Sequence, residues 1–231
     1  MNNTVNMLYG AESALQVKNS VCVVIDVLRA SSTIITALAH GYEQVVPISN
    51  LDLITPEDVC AGEYFGSELT STTFDNSPIQ IINSTISTKQ LYLITTNGTR
   101  CLLALNKNNI ILIGALLNGE SIALQAYKIA KQHKKPIVLL CCGYQNILED
   151  DDYLVASYIA SQLSKLGGII EFELKPSVNI KQSLLATPAA LRLIKLGKSE
   201  DVLYCCQQDK YLLTPYYDPK AQAIVLPGSV F

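Results

Sequence analysis

An α/β fold, layered α/β/α around a mainly parallel or mixed sheet, is predicted by three features of this 231-residue chain. Short runs that are apolar throughout recur along it, helical patterns separate them, and 49% of the residues are hydrophobic. A run without polar alternation is the mark of a strand buried on both faces. Strand followed by helix, repeated, produces a parallel sheet with helices on its faces.

The first strand is "VCVVIDV" (21–27), rich in β-branched residues, and a helix over 31–40 follows it. "QVVPI" (44–48) is the second strand. In "FDNSPIQII" (74–82), Ser77 suits a helix N-cap and Pro78 the first helical position. "LYLIT" (91–95) is the third strand; Asn97-Gly98 turns the chain and Thr99 caps a helix over 99–106. "IILIG" (110–114), a helix over 119–133 and "PIVLLCC" (136–142) repeat the pattern. The acidic block Glu149–Asp152 then opens a helix over 151–166, where negative charge suits the helix dipole. Asp151 and Asp152 read as that acidic start. Beyond Gly167 the pattern loosens: "GGIIEFELK" alternates like a half-exposed strand, 187–196 is helical, and "AIVLP" is a short last strand. Residues 1–166 form the main α/β region, and 167–231 a smaller C-terminal α/β subdomain packed on it, with no linker between them.

Composition narrows the function. A net charge of −3 offers no basic patch for nucleic acid. No apolar run reaches the ~18 residues of a membrane span, and "MNNTVNMLYG" lacks the basic start and apolar core of a signal peptide. Seven cysteines without a CxxC pair suit a reducing, cytoplasmic setting. A homo-oligomer is compatible with all of this.

Polar residues collect where the strands end, the edge at which open α/β sheets bind ligands. Asp26 closes the first strand, and Arg29, Ser31, Ser32 and Thr33 follow. Thr95 to Arg100 follow the third, and Gly143 and then Glu149-Asp150 follow "PIVLLCC". Glu63 stands in "AGE" (61–63). Only three of the 17 basic residues are arginines, Arg29, Arg100 and Arg192, and two of them lie in these turns. The planar guanidinium suits bidentate contact with phosphate or carboxylate, so Arg29 and Arg100 are expected to face one anion-binding pocket. Gly98 permits close approach, and the amides of Gly98, Thr99 and Arg100 would point at the anion. Asn76, Ser77 and Gly143 complete the candidate substrate contacts. Asp26, Glu63, Glu149 and Asp150 are hard oxygen donors of the kind Mg²⁺ takes, the ion keeping several waters and bridging to substrate phosphate.

Spacing excludes several phosphate chemistries. No cysteine is followed six positions later by arginine. "LGKSED" (196–201) would place the first P-loop glycine at Arg192. Asp26 is followed by Val27 and Leu28, so the second acid of an Asp-x-Asp motif is absent, and no G-x-G-x-x-G follows a strand.

Taken in order, "VVIDVLRASSTIITAL" (23–38), "AGE" (61–63), "FDNSP" (74–78), "TTNGTR" (95–100) and "ED" (149–150) resemble the 2-phosphosulfolactate phosphatase family. The resemblance spans most of residues 20–165 and continues more weakly through "LGKSEDVLYCCQQD" (196–209). It implies Mg²⁺-dependent hydrolysis of a phosphate monoester on a small sulfonated hydroxy acid, releasing sulfolactate and phosphate on the way to coenzyme M. Matching positions carry over Asp26, Arg29, Glu63, Asn76, Asn97, Arg100, Glu149 and Asp150. A shortened segment before "NSP" and the single glycine of "CCGYQNILED" depart from the family pattern and bear on substrate fit. The alternatives are a phosphatase of another small phospho-acid and a non-catalytic binder of phosphorylated or sulfonated acids.

Overall fold

The computed structural model describes residues 3–64, 67–85, 88–106, 108–175 and 177–228. In chain order the elements begin with β1 (Thr4–Tyr9), α1 (Gly10–Ala14), β2 (Val21–Ile25), α2 (Ala30–Ala39), β3 (Gln44–Pro47) and β4 (Cys60–Tyr64). They continue with β5 (Ser67–Glu68), β6 (Phe74–Asp75), α3 (Pro78–Asn83), β7 (Gln90–Ile94), α4 (Gly98–Ala104) and β8 (Ile110–Gly114). Next come α5 (Gly119–His133), β9 (Ile137–Cys141), α6 (Asp150–Lys165) and β10 (Ile169–Ile170). The last are α7 (Ile180–Leu185), α8 (Pro188–Lys195), α9 (Ser199–Cys205), β11 (Tyr216–Asp218) and β12 (Ala223–Val225). Every strand expected from an unbroken apolar run is present, and the fold is mixed α/β with helices layered on a largely parallel sheet.

Burial explains why those runs lack alternation. Along β2, Cys22 and Val24 enter one core with α2 and α4, while Val21, Val23 and Ile25 enter a second core with α5 and α6. Each face of the strand is thus covered, and a polar residue on either would be stranded without water. All seven cysteines are buried thiols, filling space as small apolar residues do.

Two parallel groups make up the sheet. The order β10-β1-β9-β2-β8 is parallel throughout, as is β3-β7-β4 with β6 beside β4. Between the groups lie β11 and β12, joined antiparallel to each other, to β8 and to β3. Three antiparallel steps reverse the sense of the second group, so the expectation of a single shared strand-end edge needs correcting. The strand ends still meet because the sheet curls around the first core: α2 packs on both β8 and β3, and α4 on both β2 and β3. Residues beyond 167 supply one edge strand, β10, and the two strands that join the halves. The alternating "GGIIEFELK" keeps ladder pairing only at Ile169–Ile170, after which Phe172 and Leu174 pack against the second core.

Strand β1 was not foreseen. Its "TVNMLY" interleaves polar Thr4 and Asn6, and parallel pairing with β9 holds it in place. Capping also differs at one point. Ser77 caps α3, its hydroxyl accepting from the Gln80 amide at 3.1 Å. Thr99 does not cap α4: Asn97 holds that position, and Thr99 Oγ1 instead accepts from the Thr95 amide at 3.1 Å and donates to the Thr95 carbonyl at 2.8 Å.

Candidate active site

A small cleft lies where the two strand groups converge. Asp26, Arg29, Glu63, Asn76, Asn97, Gly143 and Glu149 line it, joined by Asp151, Asp152, Tyr144 and Arg192, with Leu28, Ala189 and Leu193 as apolar wall. Its cavity of about 50 Å³ is room for roughly three to five waters, the scale of a phosphate group with a short appendage.

Asp26 follows β2 directly, and local bonds hold it. Its Oδ1 accepts from the Ala30 amide at 3.1 Å, the Gly98 amide also bonds the carboxylate, and its own N–H donates to Ser31 Oγ at 3.0 Å. Burial pushes its pKa up to about 6; the Ala30 amide opposes that, the charge of Glu63 adds to it, and Arg29 and Gly98 oppose it. Gly98 is there for space, because a Cβ at that position would lie 2.6 Å from Asp26 Oδ2 and 2.7 Å from the Ala30 Cβ.

The acidic helix start is more than a dipole complement. Asp151 and Asp152, read from sequence as part of an acidic helix start that suits the dipole, are only 4% and 3% exposed and face the cleft. Asp152 bridges two strand ends, its Oδ1 accepting from the Val27 amide at 2.9 Å and its Oδ2 from the Gly143 amide at 2.8 Å. Burial, then the charges of Asp151 and Asp26, push it well above the usual carboxylate range. Asp151 rises to about 7 through burial, then through Glu149 and Asp26, and its Oδ1 is buried without a hydrogen-bond partner. Asp150, by contrast, is exposed and pairs with Lys175, outside the cleft lining. Helical geometry places this: α6 buries Asp151 and Asp152 on the face that carries Val155, Ala156 and Ile159, and Asp150 sits at the edge of that face.

Arg29 and Arg100 do not oppose each other across one pocket. Arg29 is almost wholly buried, and its fork grips Asp75 (2.8 and 3.1 Å) and Asp201 (2.7 Å). Lys198 adds a contact to Asp75 at 2.8 Å, and Ser77 Oγ donates to Asp201 Oδ1 at 2.7 Å. The guanidinium therefore borders the cleft with its charge already opposed by two carboxylates. Arg100 is exposed and lines neighbouring depressions with Ser49, Thr96 and Leu103 on one side and Asn146 on the other. The amides opening the short α4 serve internal bonds to Thr95 and Asp26.

The remaining candidates fall into two groups. Ser31, Ser32 and Ser77 bond backbone or Asp201 and support the loop; Thr33 is buried with its hydroxyl unpartnered. Asn76 lines the cleft with its Oδ1 unpartnered, and Asn97 Oδ1 accepts from the Gln145 amide at 3.2 Å. Glu63 is held by the Thr96 amide at 2.6 Å and its hydroxyl at 3.2 Å. Gly143 has φ +62°, and a Cβ there would fall 2.1 Å from the Ile147 carbonyl. Sequence reasoning passed over Arg192, which α8 delivers to the rim, where it meets Glu149 Oε2 at 3.2 Å and stacks over Tyr144 at 5.0 Å.

A largely parallel α/β sheet with a small acidic cleft at its strand ends defines the class: a layered α/β protein whose cleft has the size of a small molecule's site. The chain belongs to the 2-phosphosulpholactate phosphatase family, whose model matches residues 9–220, and it is therefore a phosphoric monoester hydrolase. It is 29% identical over 218 residues to a probable 2-phosphosulfolactate phosphatase of Clostridium acetobutylicum, covering 87% of this chain and 91% of that protein. A relative of the same description from Parasynechococcus marenigrum is 30% identical, over 85% of this chain and 88% of its own. One from Caldanaerobacter subterraneus is 29% identical, over 90% and 91%. Among the described residues, no helix is long and apolar enough to cross a membrane.

Proposed function

We propose that this chain hydrolyses 2-phosphosulfolactate to sulfolactate and inorganic phosphate with the aid of Mg²⁺, a step that would serve coenzyme M formation. What supports the reading most is the buried, unpartnered Oδ1 of Asp151 beside Asp26, in the cleft of a chain belonging to this family. A carboxylate oxygen is costly to bury alone, and a cation or a ligand donor would satisfy it.

The donor chemistry fits Mg²⁺. Every acidic group lining the cleft offers oxygen, and no histidine or cysteine lines it. Among the described residues no three His, Cys, Asp or Glu side chains form a ready-made metal cage, but Mg²⁺ typically takes one or two protein carboxylates and keeps several waters. Asp26 and Asp151 would hold it, with Glu63 and Glu149 close by, in place of the expected Asp150. When bound, Mg²⁺ supplies positive charge to a phosphoryl oxygen.

The chain's own groups do the rest. Asp26, held by the Ala30 and Gly98 amides, orients the attacking water and takes its proton as the P–O bond to sulfolactate breaks, and the departing oxygen takes a proton from solvent. Asp152 holds the β2 and β9 exits in register by bonding Val27 and Gly143. Leu28, Ala189 and Leu193 limit water at the reacting group.

A phosphate-release panel of small phosphorylated hydroxy acids tests this. Release from 2-phosphosulfolactate, stopped by EDTA and restored by Mg²⁺, is the expected outcome. If no member of the panel releases phosphate while binding persists, the chain is a binder and the reading fails.

A further inference from the structure

We infer that Arg192 is the specificity-determining residue of this site: its guanidinium takes the acid group that stays on the product, the carboxylate or the sulfonate. The inference rests on the phosphatase reading and names the group that recognises the non-reacting end of the substrate.

Charge in the cleft leads to it. Five carboxylates line the cavity (Asp26, Glu63, Glu149, Asp151 and Asp152), and the cationic side chains in that lining are Arg29 and Arg192. A substrate carrying a phosphate and two further acid groups brings several more negative charges. Arg29 has its fork committed to Asp75 and Asp201 through contacts of 2.7 to 3.1 Å and is buried behind them. Arg192 is differently placed. It meets Glu149 through one contact of 3.2 Å, and its side chain is 44% exposed. A guanidinium carries five N–H donors in a planar fork, so a bidentate face remains for an oxyanion.

Geometry sets where it acts. Ala189, Arg192 and Leu193 occupy positions i, i+3 and i+4 of α8, one face of the helix, and all three line the cleft. That face shares the cavity lining with Glu63 from β4 and Asn97 from the turn after β7. The guanidinium carbon lies over the Tyr144 ring, 5.0 Å from its centroid, a cation–π contact that limits the side chain's rotamers. The ring itself sits in the tight turn after Gly143, pinned by the Tyr144–Ile147 bridge. A pre-set fork beside a phosphate-sized cavity is the arrangement that reads a second anion at fixed spacing.

The test compares three substrates: 2-phosphosulfolactate, 2-phospholactate (sulfonate replaced by hydrogen) and the phosphate ester of 2-hydroxyethanesulfonate (carboxylate replaced by hydrogen). With wild-type protein and Arg192→Ala, kcat and KM are measured for each. Arg192→Ala is expected to lower kcat/KM for 2-phosphosulfolactate by about 10- to 100-fold, mostly through KM, the scale of charge-assisted hydrogen bonds. The analogue lacking the group that Arg192 holds should show almost no further loss, which identifies the carboxylate or the sulfonate. Arg192→Lys should recover only part of the discrimination. Equal fractional loss on all three substrates would overturn the inference, since it would place Arg192 in supporting Glu149 or the fold. Unchanged kinetics on all three would overturn it too. Wild-type protein that hydrolyses none of the three defeats the phosphatase reading instead, so the two failures are distinct.

Discussion

Replacing Arg29 by methionine separates two roles for a residue that sequence alone casts as an anion binder. In the structure its fork neutralises Asp75 and Asp201, both buried, with Lys198 touching Asp75 from the other side. Burial by itself would push the Asp75 carboxyl up, but the Arg29 contacts and those of Lys198 outweigh it and hold it below its ordinary value. Removing one partner of such a cluster leaves charge buried without compensation, at a cost of about 3–5 kcal/mol. For a domain of this size that corresponds to roughly 6–20 °C in Tm. The sign with pH follows from Asp75. A carboxyl with a depressed folded-state pKa stabilises above its unfolded value near ~4 and loses that contribution as pH falls through the folded value. The gap between wild type and Arg29→Met should therefore be full at pH 7 and shrink below about pH 4. Thermal and urea unfolding across that range measures it. Adding Asp75→Asn and Asp201→Asn to the methionine variant should restore much of the loss, because the orphaned charges go with them. An Arg29→Met protein as stable as wild type at pH 7, yet with a raised KM, would show that the guanidinium serves the substrate and not the fold.

Other outcomes follow from the cleft. Asp26 and Asp151 have values pushed up to about 6 and about 7, so their stabilising contribution is whole below about pH 4 and is lost as pH rises through those values. Metal-free protein should accordingly lose Tm between pH 4 and 7.5, Asp151→Asn should flatten that slope, and added Mg²⁺ should raise Tm at pH 7.5 in wild type and Asp150→Asn but not in Asp151→Asn. Gly98→Ala puts a methyl 2.6 Å from Asp26 Oδ2; steady-state assays should show at least about a tenfold loss in kcat, on the scale of misplaced catalytic groups. Arg100→Ala removes an exposed side chain that lies outside the cleft lining. Its turnover should stay within about threefold of wild type, whereas a loss of the order of 10² would return Arg100 to the transition state.

Much of the site was readable before any coordinates. Asp26, Asn97, Gly143 and Glu149 stand in turns that follow apolar runs, Glu63 lies near the end of β4 and Asn76 just after β6, and the cleft gathers all six. Asp151 and Asp152 could have been found by carrying the buried face of α6 back one turn from Val155 and Ala156, four positions on from each. Their adjacency to Glu149 hid this, since a run of acids at a helix start has an ordinary explanation in the dipole. No comparable signal existed for Arg29, because its partners Asp75 and Asp201 lie 46 and 172 positions away. Arg192 was equally hidden, as one basic residue on an amphipathic helix.

The five strands drawn from unbroken apolar runs and the helices between them, the double burial of β2 and β9, and the turns bearing Asp26 and Gly98 were settled by local sequence. Propensity, capping and hydrophobic period act within a few residues of each other, so they leave a trace in the string itself. The reversal of the second strand group, the insertion of β11 and β12 between the halves, and the choice of which arginine meets carboxylates and which meets the cleft were decided only in three dimensions. Those outcomes depend on pairings as far apart as Arg29 and Asp201 or β3 and β12, where the energy of burying and compensating a charge is set by neighbours that sequence proximity does not identify.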